Sequence, residues 1–187
     1  MSPAATEAAV DGDGEDALPG RPTSASRTTL SQIMTTADTN LLGTVHGGVV
    51  MKFVDDVAGV VATRHSGGPT VTAAMDEMVF VTPVRVGDLV HVTGQVNWTG
   101  RTSLEIGVKA TAERWDRAGE PSLTVATAYL AFVAVDDQGR PRRVPPVVPE
   151  TDEDRRRFRE AEIRRRHRLA RREEIRRSRQ AAPPSPL

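Results

Sequence analysis

The stretch Gly47-Gly48-Val49-Val50-Met51-Lys52-Phe53-Val54-Asp55-Asp56-Val57-Ala58-Gly59-Val60-Val61-Ala62-Thr63-Arg64-His65-Ser66-Gly67-Gly68-Pro69 decides the fold class. Val49, Val50, Phe53, Val54, Val57, Val60 and Val61 recur at helical spacing, Ala58 and Ala62 widen the stripe, and Ser66-Gly67-Gly68-Pro69 stops it. The β-branched content also permits a strand, but the run is too long without a turn for a typical strand. The pattern therefore predicts a long, largely buried helix.

Beyond Pro69 the period becomes two. Val90, Val92, Gly94, Val96 and Trp98 fall on one face of a strand, Leu104, Ile106, Val108, Ala110 and Ala112 on one face of the next, and Thr99-Gly100-Arg101 joins them as a hairpin. Leu123 to Val135 is apolar or small on both faces, as in a central strand, and Thr70 to Phe80 supplies a further strand. Upstream, Leu30, Ile33 and Met34 suggest a short first strand followed by the polar turn Thr36 to Asn40. One strand, one long helix and about four antiparallel strands give an α+β domain in which the sheet wraps the helix.

The ends differ from this middle. Residues 1–27 hold almost no large apolar side chains, so they are expected to be disordered. The domain is placed at residues 28–150, with Pro145, Pro146 and Pro149 as a stiff linker at its end. Residues 151–187 are expected to form an Arg-rich helix, capped by Thr151-Asp152-Glu153-Asp154, and a disordered end. The formal net charge of zero hides a split: the first twenty residues carry five acids and no base, and residues 151–187 carry thirteen arginines against seven acids.

With no cysteine, a disulfide framework, a Cys metal site and a thiol nucleophile are all excluded. The N-terminus lacks the pattern of a signal peptide and no apolar run approaches a bilayer span, so a cytoplasmic protein without membrane insertion is expected. The four histidines are scattered and no phosphate loop occurs, so no metal or other cofactor is expected.

Asp38-Thr39-Asn40-Leu41-Leu42-Gly43-Thr44-Val45-His46-Gly47-Gly48 delivers small residues and exposed amides to the start of the buried helix, a place that can receive an oxyanion. Gly47 and Gly48 are the candidate donors, although an isolated Gly-Gly pair is more often an ordinary tight loop. Asp55 and Asp56 sit inside the apolar helix, where a carboxylate needs either solvent or a functional cavity. They point about a hundred degrees apart, so one lines the site and the other an edge, and spacing alone does not choose between them. A carboxylate beside a carbonyl could act as general base on water or attack to give an anhydride. His46 is a candidate catalytic residue, with a loop-fixing role slightly favoured. His65 and His91 read as solvent-facing or packing residues.

Arg101-Thr102-Ser103 at the hairpin tip offers a fork of donors and two hydroxyls suited to phosphate, although on the residues alone an ordinary polar hairpin end is the favoured reading. The interleaved Glu160, Glu162, Glu173 and Glu174 favour a solvated, internally paired C-terminal helix over a nucleic-acid site.

Taken in order, Asn40 with Gly43, Val45-His46-Gly47-Gly48-Val49-Val50-Met51-Lys52, Asp55-Asp56-Val57-Ala58-Gly59, Phe80-Val81-Thr82-Pro83, Thr99-Gly100-Arg101-Thr102-Ser103 and Phe132-Val133-Ala134-Val135 resemble the acyl-CoA thioesterase branch of the hot-dog superfamily, over about residues 31–150. The resemblance implies a hot-dog fold and hydrolysis of acyl-CoA to free acid and CoA. It implies that the catalytic carboxylate is Asp55 rather than Asp56, with Asn40, Thr44, His46, Gly47 and Gly48 around the carbonyl and Arg101, Thr102 and Ser103 near the CoA phosphates. Relatives often carry Asn or Asp where this chain has Thr44. It also implies a homo-oligomer, a dimer or a trimer of dimers, in which the loop of one protomer meets the helix of another. A non-catalytic acyl-CoA sensor and a hot-dog enoyl-CoA hydratase are the competing readings.

Overall fold

The computed structural model describes residues 18–117 and 119–181. After strand β1 (Arg21–Pro22) come β2 (Thr28–Ile33), helix α1 (Gly47–Ser66), β3 (Thr70–Phe80), β4 (Leu89–Thr99), β5 (Ser103–Glu113), β6 (Leu123–Ala134), β7 (Val147–Val148) and helix α2 (Asp152–Ala181). β2 to β6 form one antiparallel sheet in the order β2-β4-β5-β6-β3, wrapped around α1. This is the expected hot-dog arrangement, with a second helix on the outer face.

α1 begins and ends where its sequence instructs. His46 is the N-cap, its Nδ1 accepting from the Gly48 amide, and Gly67 adopts a φ of 73°, the left-handed turn that ends helices and disfavours residues with a Cβ. Its carbonyl end is satisfied by two arginines: Arg21 donates to the Arg64 and His65 carbonyls at 2.8 and 2.9 Å, and Arg142 to that of Ser66 at 3.0 Å. Val50, Phe53, Val54, Val57, Ala58, Val61 and Ala62 are buried against Val90, Val92, Val96, Ile106 and Leu130 of the sheet. Gly94 permits the close approach, since a Cβ there would lie 3.1 Å from Val61.

Three expectations are corrected. Residues 18–27 are ordered, because β1 pairs in parallel with β7, burying Thr23, Ser26 and Val147; residues 1–17 lie outside the described residues. The proline segment is accordingly packed against the domain rather than serving as a stiff linker, with Val144 and Pro145 buried. Trp98 does not share the face of Val96: a bulge shifts the register between them, and Trp98 turns outward, where Arg165 of α2 lies 4.9 Å from its ring centre.

The predicted cap of α2 is present, with Thr151 and Asp154 exchanging side-chain to backbone hydrogen bonds of 3.1 Å in each direction. The helix is paired internally, through Glu153 with Arg156 and Arg157 and through Glu173 with Arg176 and Arg177. It is also docked. Ala161 is fully buried, Arg164 reaches the buried Glu105 at 2.6 Å while its guanidinium stacks 3.6 Å from the Tyr129 ring centre, and Arg168 pairs with Asp76 of β3.

Candidate active site

Asp55 lies half-buried on the flank of α1 that faces β3. Its Oδ1 accepts a 2.9 Å hydrogen bond from the Thr72 hydroxyl. Asp56, one position on, points to solvent and pairs with Lys52 at 2.6 Å. The helix rotation of about a hundred degrees thus separates a carboxylate beside the sheet edge from a surface ion pair. Asp55 and Thr72 line a cleft with Gly59, Val60, Thr70 and Phe132, open beside β3, and Asp56 borders the same cleft from its solvent side. β3 is an edge strand bonded only to β6, and Val71, Val79 and Phe80 along it are exposed. Thr72 was not singled out in the sequence; the signal that finds it is register, since β3 runs back along α1 and brings Thr72 beside Asp55.

At the other end of the helix, the Gly48 amide is occupied by His46 Nδ1 at 3.0 Å. In this chain the Gly48 amide is thus engaged by its own helix cap, and His46 is the capping residue. Gly47, the first helical residue, has no carbonyl one turn earlier to bond and faces a cleft of about 240 Å³ with Val45, Val50, Phe80, Val84 and Val125. Asn40 and Thr44 bond side chain to side chain at 3.0 Å, and Asn40 Oδ1 accepts from the Leu42 amide at 2.9 Å, a tight loop in which Gly43 has a φ of 74°. Leu41 and Leu42 at its tip are almost fully exposed.

One chain does not gather these groups. Gly47 and Asp55 are eight residues apart on one helix, on the order of 12 Å along its axis, and they line different clefts. Asn40 lines a third, with Leu41, Leu42 and His46. Arg101 is exposed at the hairpin tip and Ser103 lines a groove under α2, so the Arg101 to Ser103 turn shares no cleft with Asp55. Among the described residues no group of three His, Asp or Glu is placed to hold a metal ion, and no helix is long and apolar enough to cross a membrane.

A profile of the thioesterase superfamily matches residues 42–115. An uncharacterised acyl-CoA thioester hydrolase of Bacillus subtilis, YkhA, is 44% identical over 117 residues, which cover 63% of this chain and 67% of that protein. The chain belongs to the acyl-CoA thioester hydrolase family. Within this family, the mouse cytosolic acyl coenzyme A thioester hydrolase is 36% identical over 135 residues, 72% of this chain, so the match spans only about a third, 35%, of the mouse protein. The Staphylococcus aureus acyl-CoA hydrolase, solved with butyryl coenzyme A and coenzyme A, superposes with a TM-score of 0.79 at 31% identity, covering 87% of this chain and 98% of that one. That hydrolase has also been solved as alanine variants of an asparagine, an aspartate and a threonine. An apo-hexameric acyl-CoA thioesterase superposes at 0.78, with 34% identity, over 82% of this chain and 97% of that one.

Proposed function

We propose that this protein hydrolyses acyl-CoA thioesters to free acid and CoA in a site shared between two copies of the chain. The observation that carries the reading is the Asp55 carboxylate held by Thr72 beside an unpaired sheet edge, with the Gly47 helix start about 12 Å away in a separate cleft. Pairing β3 with the β3 of a second copy satisfies that edge and brings the partner's helix start and Asn40 loop towards Asp55. The exposed Leu41 and Leu42 at the loop tip then have a surface to cover them.

The Staphylococcus aureus variants support the same set of residues. In that hydrolase the asparagine precedes the aspartate by 15 residues and the threonine follows it by 17, the intervals that separate Asn40, Asp55 and Thr72 here.

In the proposed reaction the Gly47 amide donates a hydrogen bond to the thioester oxygen as negative charge develops on it, between the apolar walls Val45, Val50 and Val84. Asp55 either takes a proton from the attacking water or attacks the carbonyl itself. In the first route water adds to the carbonyl and becomes the acid's new oxygen as the C–S bond breaks; in the second, a mixed anhydride with Asp55 forms as the C–S bond breaks, and water then hydrolyses it to acid and free Asp55; in both, CoA leaves as thiolate and is protonated. The Thr72 hydroxyl holds the carboxylate in place, and no metal or redox group is required. Arg101, Thr102 and Ser103 remain candidates for the CoA phosphates, supplied from the second copy or a further one. The hexameric relatives support a trimer of such dimers, and the cytosolic ones a cytoplasmic place.

The experiment follows thiol release from a panel of acyl-CoAs for the parent and for Asp55→Ala. A loss of about a hundredfold or more is expected; equal rates would remove Asp55 from the reaction.

A further inference from the structure

One wall of the Gly47 cleft stands outside the buried core. Val45, Val50, Val84 and Val125 are buried, whereas Phe80, at the end of β3, is 48% exposed. Its backbone is aligned with Ala126 of β6, and its ring tip turns in on the helix start. The Phe80 Cζ atom lies 3.5 Å, and its two Cε atoms 3.9 Å, from where a Cβ on Gly47 would stand, and these are the three nearest atoms.

The facing wall is tied down. It belongs to residues 81–88, the connection from β3 to β4. The Val81 amide donates to the Val125 carbonyl at 2.8 Å, and the Val45 amide to that of Val84 at 2.9 Å. Arg114 joins the Pro83 carbonyl, at 3.1 Å, to the fully buried Asp88, at 2.5 Å, and the Asp88 carboxylate also accepts from the Arg85 amide at 2.8 Å. A close-packed wall held in this way registers even one added methyl group. The amide nitrogen of a residue lies about 2.5 Å from its own Cβ position, so the Phe80 ring tip is within about 6 Å of the Gly47 amide.

We propose that Phe80 is a specificity-determining residue. With the thioester oxygen on the Gly47 amide, the Phe80 ring abuts the carbon next to the carbonyl, admitting straight acyl chains and rejecting those that carry a methyl branch there. This assignment rests on the thioesterase reading and names the class of substrate the site takes, acyl-CoAs unbranched beside the carbonyl. A misplaced methyl in an apolar pocket is worth about 10- to 200-fold in kcat/KM.

The test compares thiol release from butyryl-CoA and 2-methylbutyryl-CoA, read as the ratio of the two kcat/KM values within each variant. The parent should favour butyryl-CoA by about 10- to 200-fold. Phe80→Ala removes the ring and should bring the ratio near unity, while Phe80→Leu, which keeps apolar bulk at the strand end and carries the test if the alanine variant does not fold, should give an intermediate ratio. Val79→Ala, on the same strand and outside the cleft, should keep the parent ratio. Equal rates on the two substrates in the parent would overturn the proposal, and so would Phe80 variants that slow both substrates while keeping the parent ratio. Thiol release by the parent from no acyl-CoA at all is a different outcome, which would remove the thioesterase reading itself and this assignment with it.

Discussion

The Thr72 hydroxyl donates to Asp55 Oδ1 across 2.9 Å, tying the carboxylate in the middle of α1 to the free edge strand of the sheet. A carboxylate that must meet a carbonyl in one orientation gains from a neighbour that removes its rotational freedom. Thr72→Val keeps the shape and removes the donor. A hydrogen bond to a charged group contributes about 1.5–3 kcal/mol, so kcat/KM should fall about ten- to a hundredfold. The fold should be kept, as read by circular dichroism; an unchanged rate would reduce Thr72 to a surface contact.

Gly47 separates a functional glycine from a structural one. It needs no left-handed backbone, and a Cβ there meets Phe80 Cζ at 3.5 Å, an ordinary contact. Gly47→Ala should therefore leave the melting temperature near that of the parent, since Ala favours a helix, while its methyl narrows the cleft that Gly47 lines. Thiol-release kinetics should show a clear fall in kcat/KM without a fall in Tm. A loss of both together would return Gly47 to the role of a plain turn residue.

The α2 helix depends on a buried ion pair. Arg164 bridges Glu105, 2% exposed, and the Tyr129 ring. Arg164→Ala leaves the Glu105 carboxylate without its cation, and breaking such a pair costs about 3–5 kcal/mol. The melting temperature should drop on the order of 10 °C, whereas Arg166→Ala, at an exposed position of the same helix, should change it little. Equal effects of the two substitutions would contradict a docked α2.

His65 makes stability depend on pH. It is fully buried, with Nε2 against the Pro145 carbonyl at 3.2 Å and Nδ1 against the Ser26 hydroxyl at 3.3 Å, and burial holds its pKa below the usual 6.5. The unfolded chain then takes up the proton first as pH falls. The stabilisation is fully present above about 6.5 and is lost progressively as pH drops towards the folded pKa. Tm should fall between pH 7.5 and 5.5, before the carboxylates titrate, and the slope in that window should flatten in His65→Gln.

Much of this was legible in the chain. The 3.6 period of Val50, Phe53, Val54, Val57 and Val61 fixed a buried helix, and the two-residue period of Leu104 to Ala112 fixed a strand, because one-sided burial imposes those spacings. Trp98 escaped because a bulge is a register property of two strands and leaves no mark in either alone. The order of residues 18–27 escaped because it rests on pairing with Val147 and Val148, far along the sequence. Asp55 was singled out as an acid in an apolar helix, but its distinction from Asp56 came from the family pattern until Thr72 was seen beside one and Lys52 beside the other. The sheet-facing arginines of α2 read as solvated because their partners, Glu105 and Asp76, belong to strands about sixty and ninety residues earlier.

The central claim is that Asp55 of one chain works with the Asn40 loop and helix start of another. It is tested by mixing Asp55→Ala with Asn40→Ala after each has been shown to be nearly inactive, under conditions that exchange subunits. Random pairing makes half the dimers mixed, each with one intact site of two, so thiol release should recover to about a quarter of the parent rate. A mixture no more active than the sum of its two components would contradict a shared site.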